Sequence, residues 1–106
     1  MATSRGTTPT YILRLLDEDV DLNTATDIYV TFSNKDYRKI IEKTGDDLTV
    51  SQDGKDVEVY LSQEETLKFP LDHVLVQINW MVGSSRIASE VGVIPTHRNL
   101  KEEKIE

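Results

Sequence analysis

His73 and His97 are the only histidines in the chain and its first candidates for proton transfer, because imidazole titrates near neutral pH. A full hairpin separates them, and neither sits in a serine or aspartate pattern that would pair a nucleophile with a base. They are expected as a strand-start histidine and an exposed one. Asp17, Asp19 and Asp21 alternate as the first ligands of a calcium loop do, but Leu22 stands where the sharp-turn glycine belongs and Ile28 where the bidentate acid belongs. Asp46, Asp47, Asp53 and Asp56 are accounted for by turn formation alone. There is no cysteine, hence no thiolate site, no cysteine nucleophile and no disulfide. The glycines are isolated and form no phosphate-cradling loop. The chemistry therefore reads as non-enzymatic, with no catalytic set, no cofactor and no metal.

The aromatic residues offer a different kind of site. Trp80, with Tyr29, Tyr37 and Tyr60, has the residue types of a sugar-stacking platform. However, Trp80 keeps step with Val76, Ile78 and Val82, the pattern of a core face, and packing is the expected role. Tyr29 falls on the face opposite Ile28 and Val30. With Ile12, Leu16, Leu75 and Met81 it is a candidate outward apolar strip of the kind an oligomer or partner interface needs. Apolar residues scattered singly over the surface are the alternative.

The element that positions most of these residues is one long hairpin, His73 to Ile94. Gly83-Ser84 supports a primed two-residue turn, which places Val82 against Ser85, Trp80 against Ile87, Val76 against Val91 and Val74 against Val93. Before it, Tyr11 to Leu16 reads as a strand, and Ile28 to Ser33 alternates with Ile28, Val30 and Phe32 inward. Tyr37 to Lys43 returns as a third strand. Asp53-Gly54 marks a second hairpin that sets Val50 against Val57 and Leu48 against Val59. Ser62 and Glu65 form a capping-box pattern, so one short helical turn should cross between sheets before Pro70 ends it. About seven short strands with one helical turn describe an all-β fold, an antiparallel two-sheet β-sandwich of immunoglobulin-like size; an open barrel is the alternative.

The chain reads as a single domain, residues 1–106, with a polar leader over 1–8 and a frayed tail over 96–106. A net charge of −7 argues against a nucleic-acid partner, whose phosphates call for basic groups. The N-terminus lacks the apolar run of a signal peptide and no stretch reaches a membrane span, so a soluble protein without a membrane partner is expected.

The succession Arg5-Gly6-Thr7-Thr8-Pro9-Thr10, Ile28-Tyr29-Val30-Thr31-Phe32, Lys43-Thr44-Gly45-Asp46-Asp47-Leu48, Leu61-Ser62-Gln63-Glu64-Glu65-Thr66-Leu67 and Gln77-Ile78-Asn79-Trp80 with Arg86-Ile87-Ala88-Ser89-Glu90 resembles small prophage proteins of Gram-positive bacteria encoded among tail and baseplate genes. It is more distantly similar to the immunoglobulin-like N-terminal domain of phage baseplate upper proteins. The resemblance implies a virion structural or assembly protein, made in the bacterial host cytoplasm, whose partners are other phage structural proteins or further copies of itself. Docking would use exposed strand edges or the face bearing Tyr29, with Ile12, Leu75 and Met81 as further interface candidates. The alternative is a carbohydrate-binding or host-surface adhesion module.

Overall fold

The computed structural model describes residues 2–17 and 19–105. Strands hold 47% of the residues and helices 11%, so the fold is mostly β: a curled mixed sheet and a second small sheet. The strands are β1 (Thr3–Ser4), β2 (Thr10–Arg14), β3 (Ile28–Ser33), β4 (Lys39–Thr44), β5 (Leu48–Val50), β6 (Asp56–Tyr60), β7 (Asp72–Val82), β8 (Ser85–Ala88) and β9 (Gly92–His97). The larger sheet runs β1-β9-β7-β3-β4, with β8 also paired to β7, and the smaller runs β2-β6-β5. Helix α1 (Gln63–Leu67) crosses between the sheets. Its cap is the expected box, with the Ser62 hydroxyl accepting the Glu65 N–H while the Glu65 carboxylate accepts the Ser62 N–H.

Alternation decides what each sheet buries. Val30 and Phe32 of β3, Val74, Val76, Ile78 and Trp80 of β7, and Tyr11, Val57 and Val59 of the smaller sheet meet in one core. The Tyr11, Phe32 and Phe69 rings form its spine, with centroids 6.0 and 5.8 Å apart, joining the two sheets and the crossover. The adjacent pair Ile40 and Ile41 is resolved by an irregularity in the β3–β4 ladder. It turns Ile41 into the core and leaves Ile40 half-buried.

The long hairpin follows the expected register only in its near half. Val82 pairs with Ser85 and Trp80 with Ile87, as the two-residue turn requires. Ser89 then interrupts the ladder: its hydroxyl accepts the Ile78 N–H at 3.0 Å while its own carbonyl accepts from the Gln77 amide at 2.8 Å. Two residues, Glu90 and Val91, are thereby accommodated opposite one, and the far half is displaced by one position, with Val76 facing Gly92 and Val74 facing Ile94. Ile94 takes the core position instead of Val93, which points outward. The second arm is consequently two strands, β8 and β9.

In the second hairpin Val50 faces Val57 and Leu48 faces Val59, the register read from the sequence. Its loop is longer than two residues: Ser51 N–H bonds Asp56 O, and Gly54 N–H closes a turn on Ser51 O. Both chain ends are also tied down. Thr3–Ser4, within the polar leader, pair parallel with Thr96–His97, and Thr96 is buried. Beyond β9, Arg5 bonds Glu102, and Gln63 makes two hydrogen bonds with Ile105. Strand pairing and a few charged contacts hold segments whose polarity gives no sign of it.

Candidate functional site

Tyr29, Thr31 and Ser33 of β3 and Leu75, Gln77, Asn79 and Met81 of β7 share the outer face of the larger sheet, the face turned away from the core. The surface there holds two depressions. The first, about 420 Å³, is walled by Tyr29, Met81 and Asn79, with Asp27, Glu42 and Arg86 as its charged rim. The second, about 190 Å³, is walled by Leu75, Tyr37 and Val91 beside Gln77 and Lys39. Thr31 lines both, so they form one shallow trough along the β3–β7 seam. Tyr29 is directly opposite Asn79, and Leu75 lies four residues further along β7, about 13 Å at the usual rise.

The four interface candidates separate accordingly. Tyr29 and Met81 stand together, Leu75 stands at the other end of the same trough, and Ile12 is elsewhere. Ile12 pairs with Glu58 on the outer face of the smaller sheet, 60% exposed, and Leu16 beyond it is 89% exposed. The expected single strip is thus two surfaces, because β2, which carries Ile12, belongs to the smaller sheet.

Tyr37 is a member that periodicity did not single out. It adopts φ +62° in the turn between β3 and β4, a left-handed conformation that a bulky side chain rarely takes. Asn34 enforces the turn: its side-chain oxygen accepts the Asp36 and Arg38 N–H groups, and its carbonyl accepts the Tyr37 N–H. The ring is left 76% exposed against the trough. The usable signal was Asn34 itself, a residue that bonds its own following backbone. Val91 joins the trough only through the Ser89 bulge, which alternation alone could not reveal.

The remaining candidates fall into structural roles. Trp80 is 3% exposed and lies on the core face. His73 Nδ1 contacts Asp72 Oδ2 at 2.7 Å at the start of β7, and His97 is exposed at the end of β9. Asp17 and Asp21 accept N–H groups of their own loop, from Asp19 and Asn23, as turn-forming aspartates do. Among the described residues no three histidine or acidic side chains are grouped to hold a metal ion.

The buried Tyr11 hydroxyl bonds the Thr3 hydroxyl, and burial raises the Tyr11 pKa despite that bond. This joins β2 to β1 across the core and has no place in the trough. Among the described residues no helix is long and apolar enough to cross a membrane. Set beside known proteins, the chain matches no family model, no curated protein and no solved structure.

Proposed function

We propose that this chain is a non-enzymatic contact domain, a structural or assembly part of a phage tail or baseplate that acts through protein–protein contacts. The observation that carries the reading is the trough on the outer face of the larger sheet. Apolar and aromatic side chains line a surface that no other described element covers, and charged groups rim it, the anatomy of a docking patch. The phage assignment rests on the sequence resemblance; its partners would be other virion proteins or further copies of the chain, and its place the virion.

We propose further that the two sheets form an immunoglobulin-like β-sandwich. The strand orders β9-β7-β3-β4 and β2-β6-β5 correspond to G-F-C-C′ and B-E-D of a variable-type immunoglobulin domain. The inter-sheet disulfide of antibody domains has no counterpart, since the chain lacks cysteine, and the tryptophan stands on β7 in place of strand C.

The test is replacement of Tyr29 and Leu75 by glutamate, singly and together, with folding checked by circular dichroism and incorporation into particles as the readout. Loss of incorporation by a folded variant supports the reading. Unchanged assembly by the double variant overturns the interface.

A further inference from the structure

A second opening lies along the side of the molecule, where β2 of the smaller sheet approaches the β8 end of the larger one. It is a groove of about 580 Å³, walled by Leu13, Leu15, Val20, Ile78, Trp80 and Ile87. Both flanking strands present unpaired backbone to it. In the β2–β6 ladder the hydrogen-bonded positions are the odd ones, as Leu15 N–H to Lys55 O and Leu61 N–H to Pro9 O show. The N–H and C=O groups of Ile12 and Arg14 therefore point to the open side. Likewise Ser89 N–H to Ile78 O fixes the β7–β8 phase, so Arg86 and Ala88 point theirs outward. Among the described residues no strand pairs with either edge. In an immunoglobulin sheet ordered A-B-E-D, the position beside β2 would be filled by strand A. Here β1 pairs with β9 instead, and that position stands empty.

We propose that this slot receives an extended segment of a partner protein as an added β-strand, with alternating apolar side chains and lysine or arginine at its ends. Strand addition satisfies the open edge, and the alternate side chains enter the groove beside Ile78 and Ile87. Charge selects the partner. Arg14 is already engaged by Asp56 at 2.9 Å and Asp53 at 3.5 Å, and Lys55 is turned onto the Asp17 and Val20 carbonyls. The carboxylates of Asp17 and Glu90 are left at the groove without an ion-pair partner among the described residues. A second copy would bring acid against acid in a chain of net charge −7, which disfavours self-pairing here. The proposal rests on reading the chain as a contact domain, but it uses a surface separate from the trough.

The test uses the full isotope-labelled chain and a synthetic peptide, Lys-Val-Thr-Val-Thr-Val-Lys, followed by amide NMR and exchange into heavy water. At saturation the amides of Ile12 and Arg14, or of Arg86 and Ala88, shift, and their exchange slows at least about tenfold. The counterpart with glutamate ends binds about threefold to tenfold more weakly, and salt narrows the gap. Ile12→Pro removes an N–H only from the open side of β2, and Ala88→Pro does the same for β8, so whichever of them folds keeps the test decisive. Tyr29→Glu leaves peptide binding unchanged, which separates failure of the slot from failure of the trough. Unperturbed edge amides at millimolar peptide, shifts confined to Tyr29, Thr31 and Met81, or equal binding of the acidic peptide would overturn the proposal.

Discussion

Lys43 Nζ lies 2.8 Å from Glu65 Oε2, and the two side chains are only 15% and 23% exposed. Lys43 stands opposite Val30, on the core-facing side of β4, and Glu65 is the carboxylate that closes the α1 cap. One ion pair thus fastens β4, an edge strand of the larger sheet, to the crossover leading into β7. Burial alone would push the Glu65 pKa up, but the hydrogen bonds from Lys43 and from the Ser62 N–H, with the Lys43 charge, outweigh it and hold the group below the usual carboxylate value. A depressed carboxylate pKa contributes stability above its unfolded value and loses it as pH falls through the folded value. The melting temperature of the native chain should therefore fall from about pH 4.5 downward, and Glu65→Gln should flatten that acid limb. Lys43→Met should cost about 1–2 kcal/mol at neutral pH by leaving a half-buried carboxylate without its partner, measured by urea unfolding.

Tyr11 gives the opposite limb. Its raised pKa keeps the folded hydroxyl protonated after the unfolded one ionises, so stability present below about pH 10 is lost as pH rises further. Tyr11→Phe should remove that alkaline loss. It should cost about 1 kcal/mol at pH 7 through the missing bond to Thr3, both read from unfolding curves against pH.

Gly54 carries a close approach as well as a turn. Its φ is +72°, and a Cβ there would meet the Asp21 carboxylate and, at 2.9 Å, the Leu22 backbone nitrogen, whose N–H donates to Gly54 O. Gly54→Ala should cost about 2 kcal/mol or more, and Gly54→Val more again, in chemical denaturation.

Trp80→Ala should destabilise the fold by about 3–5 kcal/mol, as a large buried side chain on the core face of β7. Native Trp80 emission should be blue-shifted and resist acrylamide quenching.

Tyr37 predicts the reverse. Replacing it with asparagine, which tolerates a positive φ, should leave stability unchanged or raise it by up to about 1 kcal/mol. A measured gain would show the exposed ring to be held at some local cost beside the trough.

Period-two alternation made most strands legible, together with the Trp80 face, the register of the second hairpin, the near half of the long hairpin and the capped turn, because each of these is specified by neighbours in the chain. Three features were not. The Ser89 bulge hides from pattern reading because a side-chain hydroxyl replaces a backbone acceptor there, and it moves Ile94 inward and Val91 toward the trough. The pairing of Thr3–Ser4 with Thr96–His97 joins the two ends of the chain, which no local signal encodes. The candidate strip divided because outward-facing Ile12 and outward-facing Tyr29 belong to different sheets, and facing can be read from a sequence more readily than sheet membership.

The most direct measurement is photo-crosslinking in cells that carry the native gene, with the reactive amino acid placed at Thr31 in the middle of the trough and, as control, at Glu58 on the outer face of the smaller sheet. The account predicts a discrete adduct from position 31 that Tyr29→Glu abolishes, and none from position 58. No adduct at position 31, or one that survives Tyr29→Glu, would contradict it.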